Sequence, residues 1–258
     1  MAPRKVDPFK PAVDAQFSKG QVNRAGQLLR EFFRRDLALG EGVFEGWDVD
    51  QLVDAMVAVT WWRSLHAAPL SKVAANLRYH VEAESGKVSG RIDVAQRLKK
   101  RPTIIDKLDR LPQMDVTDME DIGGVRARLP SLAHVAAISR RLKKTWTIKR
   151  TRDYIAEQKP SGYRAIHHIV RRDGRLIEVQ LRTVRQDAWA NQVEDDGRQL
   201  AVGFKFGFGD ADIHDYYVAM GEAFAAMDRG ELLSDELVRH LSARYMQVRG
   251  RLKRKARQ

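Results

Sequence analysis

Cysteine is absent from this chain of 258 residues. Its absence excludes a disulfide framework, a thiolate metal site and a cysteine nucleophile. Long apolar runs are missing as well, since no stretch reaches membrane-spanning length and residues 1–10 lack the apolar core of a signal peptide. The composition is 43% hydrophobic, which is enough to bury a full core. We therefore predict a soluble, globular, cytoplasmic protein.

Acidic residues are in short supply. The chain has 34 Asp and Glu against 46 Lys and Arg, which gives a net charge of +12. A basic surplus of this size usually indicates polyanionic partners, here nucleotides, RNA or both. A generally basic proteome would produce the same surplus.

Glycine-rich phosphate loops are also missing. The chain has no Walker loop and no dinucleotide fingerprint, because Gly203, Gly207 and Gly209 lack the flanking strand-turn-helix pattern. His214-Asp215 is a lone pair without the further His and Asp of a metal-dependent phosphohydrolase. We assign that pair to surface or packing.

The chain divides by composition into three regions, which we predict as domains. They are a helical N-terminal region at 1–90, a central region at 91–210, and C-terminal helices with a basic tail at 211–258. Prolines make residues 1–20 a loose arm, and apolar residues recur at helical spacing over about 21–110. In the basic segment 91–111, Pro102-Thr103 indicates a helix start.

The hydrophobic period changes to that of strands after this segment. Strands are predicted over 124–129, 147–155, 165–172 and 175–183, with a helix over 131–144. Asp173-Gly174 is a hairpin signal because both residues tolerate positive φ, so the last two strands are expected to be antiparallel neighbours. Helices are then predicted over 185–199, 213–227 and 232–248, followed by a disordered basic tail over 249–257. The expected fold class is α/β (α+β), with a mixed, largely antiparallel sheet flanked by helices.

Alternation over 176–183 is the sharpest signal in the chain. A strand there has an apolar face of Ile177, Val179 and Leu181 and a polar face of Glu178, Gln180 and Arg182. A carboxylate, an amide and a guanidinium side by side on an ordered strand form a preorganised polar surface. We predict that this face belongs to an active site.

Asp121 and Glu178 are the candidate metal ligands. Asp121 lies just before one predicted strand and Glu178 lies within another, so a sheet can bring the two carboxylates together. Such a pair, without His or Cys ligands, suits Mg²⁺, which bridges carboxylates and phosphates. The alternative is structural: Asp121 caps a turn and Glu178 pairs with an arginine.

Several cations around these acids favour the metal interpretation. They are Arg97, Lys99, Lys107, Arg126, Lys159 and Arg182. Carboxylates, a metal ion and a phosphate-clamping set of cations are what phosphoryl or pyrophosphoryl transfer requires, because positioning and charge neutralisation supply most of the catalysis.

The segment from Lys159 to Tyr163 has the composition of a loop that approaches a ligand closely. Gly162 permits unusual backbone angles, and Tyr163 can offer a flat ring on which a base stacks. The alternative is an ordinary loop whose tyrosine packs inward. Adjacent strand residues face opposite ways, so only one of His167 and His168 can share the active face. We predict His167, on the side of Tyr163, as a proton carrier or phosphate contact.

These motifs, in this order, resemble the synthetase domain of the RelA/SpoT alarmone enzymes over about residues 91–205. The matching positions are Arg97, Lys99, Thr103 and Lys107; Asp121-Ile-Gly-Gly-Val-Arg126; Asp153-Tyr154-Ile155; Lys159-Pro-Ser-Gly-Tyr163 with His167; and Glu178, Gln180, Arg182 and Thr183. The resemblance implies a nucleotidyltransferase-like fold, a catalytic domain at 91–210, and transfer of pyrophosphate from ATP to the 3′-hydroxyl of an acceptor, usually GDP or GTP.

The resemblance also implies a role for each residue. Asp121 and Glu178 would hold Mg²⁺, with Glu178 as the base for the 3′-hydroxyl and Gln180 and Arg182 beside them in the catalytic set. The implied ATP-binding residues are Arg97, Lys99, Lys107 and Arg126. The implied acceptor-binding residues are Lys159, Tyr163 and His167.

The sequence leaves the acceptor open. The family loop commonly reads Pro-Lys-Pro-Asn-Gly-Tyr-Gln-Ser-Leu-His, whereas residues 158–167 read Gln-Lys-Pro-Ser-Gly-Tyr-Arg-Ala-Ile-His. Retention of Tyr163 favours GDP or GTP and a (p)ppGpp-type product of the stringent response. Trp189-Ala190 and Glu194 resemble short members, including toxin-type ones that modify the 3′-CCA end of tRNA, and the basic tail suits RNA.

Two further expectations concern the whole chain. With no hydrolase domain before the matched region and no regulatory domain after it, we expect a small stand-alone synthetase that uses ATP and an acceptor. We expect no membrane partner. If the synthetase is of the toxin type, an antitoxin protein is an expected partner. A catalytically dead RNA-binding module is the third reading of the function. Retention of both Asp121 and Glu178 argues against it.

Overall fold

The fold was analysed in a computed structural model, which describes residues 17–39, 46–85, 93–200 and 211–255. The predicted N-terminal arm lies outside the described residues except for its last four positions. The glycines at 203, 207 and 209 lie outside them as well.

The elements alternate between helices and short strands, and their bounds agree with the predicted ones to within a few residues at most positions. In chain order they are α1 (Lys19–Leu39), α2 (Val49–Ser64), α3 (Ala67–Ser85), β1 (Asp93–Leu98), α4 (Arg101–Arg110), a 3₁₀ turn (Val116–Asp118), β2 (Gly123–Leu129), α5 (Leu132–Thr145), β3 (Ile148–Asp153), β4 (Ile166–Arg172), β5 (Arg175–Thr183), α6 (Val184–Leu200), α7 (Ala211–Asp228) and α8 (Asp235–Lys255). Pro102 lies in the first turn of α4, as its fixed φ favours.

The five strands form one sheet in the order β1-β2-β5-β4-β3. The sheet is mostly antiparallel and is accompanied by helices, which confirms the predicted fold class. Asp173 and Gly174 both have positive φ, of 47° and 74°, between β4 and β5, so the hairpin prediction is confirmed. No helix in the described ranges is long and apolar enough to cross a membrane.

Two predictions of secondary structure were wrong. The segment around 93–98 was assigned to helix and is the edge strand β1, because most of its side chains are exposed and the apolar alternation that marks a strand is missing. The tail from Arg249 was assigned to disorder, but α8 continues to Lys255. Arg, Lys and Leu are good helix formers, and Gly250 alone does not stop the helix.

Contacts between Cα atoms group the chain into two compact units, and the division passes through β1, β2, β4 and β5. Unit 1 comprises Met1–Ala75, Gln96–Val125 and Ile169–Glu178, and unit 2 comprises Asn76–Ala95, Arg126–His168 and Val179–Gln258. These units do not follow the predicted divisions at residues 90 and 210, which remain a prediction about folding units.

Unit 1 has a core built from α1, α2 and α4. Its buried members include Val22, Leu29, Trp62, Ile104 and Ile122. Side chains of these helices interlock closely where α1 crosses the 3₁₀ turn, because a Cβ added at Gly26 would lie 2.3 Å from Cγ2 of Val116. This packing holds α4 and the chain leading into β2 in place.

Unit 2 has a core in which a loop and three helices meet. The buried members are Tyr163, Ala165, Trp189, Ala190, Val193, Ile213, Tyr217 and Val248. The indole Nε1 of Trp189 donates to the backbone oxygen of Tyr217 at 2.7 Å, which ties α6 to α7. Gly162 has a φ of +85° and lies against the backbone of α7.

We expect alanine at Gly162 to destabilise the protein more than alanine at Gly174. Both glycines have positive φ, which costs alanine about 1 kcal/mol. At Gly162 the new Cβ would also lie 3.1 Å from Cα of Val218 and 3.2 Å from the oxygen of Tyr217, whereas nothing lies within 4 Å at Gly174. Backbone atoms cannot rotate away, so urea denaturation is expected to show an additional loss of about 2 kcal/mol for Gly162→Ala. Equal losses in the two variants would contradict the close approach.

Candidate active site

Asp121 lies between two lysines in unit 1. Its Oδ2 is 3.0 Å from Nζ of Lys99, and its Oδ1 is 2.7 Å from Nζ of Lys107. Lys99 directly follows β1, Lys107 lies on α4, and Asp121 lies two residues before the start of β2. The backbone fixes this geometry, because the amide of Lys99 donates to the oxygen of Ile122 at 2.8 Å. The structure therefore brings together three residues that the sequence spreads over 23 positions.

The charge state of Asp121 follows from these partners. Burial raises the pKa of the carboxyl group, but the positive charges and hydrogen bonds of Lys99 and Lys107 outweigh it, so the pKa lies below its usual value. Asp121 is consequently an ionised carboxylate at neutral pH. Its two cations are also placed to accept an anion.

Glu178 lies on the polar face of β5, as the alternation predicted. Its apolar neighbours Ile177 and Val179 are fully buried, while Glu178 and Gln180 are half-buried. A Cβ at Gly123 would lie 2.6 Å from Cδ1 of Ile177, so the start of β2 runs against β5 at this point. The segments that carry Asp121 and Glu178 are therefore neighbours. Arg97, on the adjoining strand β1, is exposed.

Asp121 and Glu178 supply only part of the ligand set that Mg²⁺ needs. Among the described residues no group of three or more His, Cys, Asp or Glu could hold a metal ion by itself. Mg²⁺ keeps several waters and commonly binds through one or two carboxylates together with substrate phosphates. Asp121 and Glu178 supply such hard oxygen donors, and both Asp121 oxygens are engaged by lysines. The two carboxylates fit a magnesium ion that is also coordinated by phosphates.

A second cluster, in unit 2, is centred on Tyr163. Its hydroxyl accepts a hydrogen bond from Nη2 of Arg182 at 2.7 Å and is 2.6 Å from Nε2 of His167. Arg182 also donates to Oε1 of Gln180 at 2.6 Å. Four residues predicted separately therefore form one hydrogen-bonded group. His167 faces Tyr163, and this confirms its predicted side of the strand.

His168 points to the opposite face of β4. Its two ring nitrogens lie 3.0 Å from Oγ of Ser139 and 2.8 Å from Oγ1 of Thr151. Burial, followed by the positive charges of Lys143 and His167, lowers its pKa to about 4. His168 is therefore neutral near pH 7 and joins α5 and β3 to the sheet.

Tyr163 itself packs inward. The side chain is only 1% exposed and makes edge contacts with Tyr154 and Trp189, with ring centroids 5.9 and 6.0 Å apart. The ammonium group of Lys159 lies 4.5 Å from the ring centroid of Tyr154 and 5.3 Å from that of Tyr163. This arrangement agrees with the alternative interpretation of the sequence, in which the tyrosine of an ordinary loop packs inward. Base stacking stays a prediction and requires the ring to become exposed.

Asp187 and Asn191 on α6 are members of this region that the sequence analysis missed. Oδ1 of Asp187 is 3.1 Å from Nη1 of Arg126 and 3.4 Å from Nη1 of Arg182. Arg126 also donates to Oδ1 of Asn191 at 3.1 Å. The sequence did offer one signal for Asp187: it is an acidic residue in the first turn of a helix that directly follows the strand ending at Arg182-Thr183. Its buried role depends on α6 folding back beside β2, which no local pattern reveals.

The family comparison covers this whole set of residues. Residues 96–197 match the family model described as a region found in RelA / SpoT proteins, and every predicted site residue from Arg97 to Arg182 lies inside that range. The chain contains a RelA/SpoT domain. The resemblance inferred from the motifs is thereby confirmed.

Individual relatives share the RelA/SpoT domain at moderate identity. GTP pyrophosphokinase YjbM of Bacillus subtilis is 32% identical over 109 residues, which are 38% of this chain and 52% of that protein. The chain spans about half the length of the curated relatives it matches.

Solved structures show the same fold. Small alarmone synthetase 1 from Bacillus subtilis, bound to its product pppGpp, superimposes with a TM-score of 0.54 at 23% identity and covers 66% of this chain and 93% of its own. A GTP pyrophosphokinase family protein from Streptococcus pneumoniae superimposes with a TM-score of 0.55 at 23% identity and covers 70% and 96%.

Removal of the Asp187 charge is expected to destabilise the RelA/SpoT domain. In Asp187→Asn the guanidinium of Arg182, with a side chain only 2% exposed, loses its nearby carboxylate, and breaking a buried pair in this way costs about 3 kcal/mol. Asp195→Asn is the control, because Asp195 pairs with Arg198 on the exposed side of the same helix and its loss should cost under about 0.5 kcal/mol. Similar unfolding midpoints in chemical denaturation of the two variants would contradict the role of Asp187.

Proposed function

We propose that the chain is an ATP-dependent pyrophosphotransferase that moves the β,γ-pyrophosphate of ATP to the 3′-hydroxyl of GDP or GTP and makes (p)ppGpp-type alarmones. The observation that carries the proposal is the ionised carboxylate of Asp121 held between Lys99 and Lys107 inside the RelA/SpoT region. Carboxylate and cations at one point are the arrangement that pyrophosphoryl transfer uses.

The lysines bind the triphosphate of ATP. In the free protein their ammonium groups neutralise Asp121, and an incoming phosphate offers them a more highly charged partner. Asp121 and Glu178 would hold Mg²⁺, which would supply charge neutralisation on the transferring group. Arg97, exposed beside this cluster, adds a further cation.

The transfer itself uses Glu178 as the base. The 3′-oxygen of the acceptor bonds to the β-phosphorus of ATP, the bond from that phosphorus to the α,β-bridging oxygen breaks, and AMP leaves. The hydroxyl proton passes to the Glu178 carboxylate. Cations around the phosphates stabilise the charge that develops on the leaving oxygen.

The cluster around Tyr163 is the candidate acceptor site. Lys159, His167 and Arg182 surround the Tyr163 hydroxyl and ring with groups that bind phosphate or bases. The nucleotide acceptor is supported by the relatives, because YjbM is a GTP pyrophosphokinase and small alarmone synthetase 1 is bound to pppGpp as its product.

A tRNA acceptor is the second candidate. It is favoured by the net charge of +12, since an RNA substrate engages a row of phosphates whereas a free nucleotide engages a few. The catalytically dead RNA-binding module is the remaining alternative and predicts no transfer to any acceptor.

We expect Glu178→Gln and Asp121→Asn to fold normally and to lose at least about 100-fold in transfer rate. The first variant loses the base and a metal ligand, and the second loses a metal ligand and the acid that positions both lysines. The assay follows transfer of label from ATP labelled in its terminal phosphates. Asp173→Asn is the control, because Asp173 is an exposed carboxylate paired with Lys72 in the same unit. Substantial turnover in either site variant would sink the assignment of the two carboxylates.

Lys107→Ala is expected to raise the KM for ATP about tenfold or more, because one of the two cations that clamp the triphosphate is removed. Lys72→Ala, which removes an exposed lysine with its own carboxylate partner, should leave KM unchanged.

The same labelled ATP, offered with GDP, GTP and deacylated tRNA in turn, identifies the acceptor. Label on tRNA with none on GDP or GTP would replace the nucleotide proposal by the tRNA one, and no label on any acceptor would support the dead module.

A further inference from the structure

One carboxylate on α7 contacts the residues on both sides of the loop at 159–163, which we call the acceptor loop. Oε1 of Glu222 accepts from Nη2 of Arg164 at 2.9 Å and from Nε2 of Gln158 at 3.0 Å. Gln158 directly precedes the acceptor loop, and Arg164 directly follows it. Arg164 also donates to Oε1 of Gln158, so the three side chains bond to one another. The two ends of the acceptor loop are thereby joined to each other and to α7.

The backbone of the acceptor loop lies directly against α7. A Cβ added at Gly221 would lie 2.8 Å from the backbone oxygen of Gly162 and 3.2 Å from Nη1 of Arg164. The same nitrogen of Arg164 donates to that oxygen of Gly162 at 3.2 Å. Glycine is unfavourable inside a helix, and the close approach of the loop accounts for it at position 221. Arg164 therefore binds the loop backbone with one nitrogen and α7 with the other.

Arg164 and Glu222 form a partly buried ion pair. The Arg164 side chain is 9% exposed and the Glu222 side chain is 41% exposed. Burial raises the pKa of the Glu222 carboxyl group, but the hydrogen bonds from Gln158 and Arg164 and the charge of Arg164 outweigh it. The pKa of Glu222 lies below its usual value, so the group is an ionised carboxylate at neutral pH. Its removal would leave a buried guanidinium with neutral oxygens alone as partners.

The residues that make this contact are particular to this chain. Gln158 and Arg164 are two of the positions at which residues 158–167 differ from the common family loop, which has Pro and Gln there. Both replacements supply hydrogen-bond donors to Glu222. The departures from the family loop therefore account for the attachment of its ends to α7.

The acceptor loop carries Lys159 and Tyr163, two residues assigned above to the acceptor. The loop itself is a tight turn, in which the amide of Gly162 donates to the oxygen of Lys159 at 2.9 Å. The places of Lys159 and Tyr163 therefore depend on where the turn is held. A loop that is fixed before its ligand arrives loses less conformational entropy on binding, which strengthens the binding.

We propose that Glu222 and Arg164 are positioning residues for the acceptor: their ion pair holds the acceptor loop on α7, so that Lys159 and Tyr163 meet a guanine nucleotide in a fixed place. This inference rests on the proposed function, in which GDP or GTP binds at the Tyr163 cluster. The pair acts on the acceptor and not on ATP, because the lysines assigned to ATP belong to unit 1 and the pair belongs to unit 2.

Amide hydrogen exchange of the full chain tests the hold on the loop without any substrate. We expect Glu222→Ala to speed exchange at least about fivefold in peptides that cover residues 158–165, because local opening becomes easier when the ion pair is lost. Glu222→Gln, which keeps the shape of the side chain, is expected to show a smaller change in the same peptides. Glu231→Gln is the matched control, since Glu231 is an exposed acid just after α7 that pairs with Arg229.

Steady-state kinetics with ATP and GDP or GTP test the effect on the acceptor. We expect Glu222→Gln and Arg164→Gln each to raise the KM for the acceptor about fivefold or more and to leave the KM for ATP unchanged. The double variant is expected to be no worse than the more impaired single variant, because either change alone already breaks the pair. A general loss of stability would lower the active fraction and would not raise the KM for one substrate alone.

Three results would overturn the proposal. They are unaltered exchange over 158–165 in Glu222→Ala, equal effects in Glu222→Gln and Glu231→Gln, and a lower KM for the acceptor in the variants, which would show that the pair restrains the loop. Wild-type protein that transfers label to neither GDP nor GTP would refute the proposed function and the acceptor part of this inference together. The exchange measurement would still decide whether Glu222 holds the loop.

Discussion

The buried guanidinium of Arg182 sets the arrangement of unit 2. A charge with a side chain only 2% exposed requires partners, and Arg182 finds them in Asp187, Gln180 and the hydroxyl of Tyr163. Each partner then constrains a different segment: Asp187 holds the start of α6, and Tyr163 holds the loop before β4. His167 receives its position through Tyr163. The proposed acceptor site is therefore built around one charge that must be neutralised inside the protein.

The charged groups around Asp121 in unit 1 are less deeply buried than the pair of Arg182 and Asp187 in unit 2. Asp121 is ionised because Lys99 and Lys107 outweigh the effect of its burial on the pKa, and the three groups remain partly accessible. Under the proposed function, a triphosphate would take over the two lysines and a metal ion would take over the carboxylate. A rigid, fully buried pair such as that of Arg182 and Asp187 would not permit this exchange.

The alternation of strand residues gives the two faces of one sheet different partners. On β4, His167 joins the Tyr163 cluster, and His168 anchors α5 through Ser139.

Much of the secondary structure could be predicted from local sequence patterns, because helices, strands and turns follow from hydrophobic periodicity and backbone preference. The alternation of β5 identified the polar face that carries Glu178, and Asp173-Gly174 located a hairpin whose positive φ angles only a few residues accept. The order of the motifs identified the RelA/SpoT domain.

The edge strand β1 was not predicted, since exposed strands need no apolar alternation. The length of α8 was underestimated because its charged residues were interpreted as disorder. Only the tertiary structure decided that Tyr163 turns inward, that Asp187 pairs with both Arg126 and Arg182, and that Lys99 and Lys107 share Asp121. The physical reason is that burial and charge pairing depend on segments far apart in the chain, and their energies arise only after those segments meet.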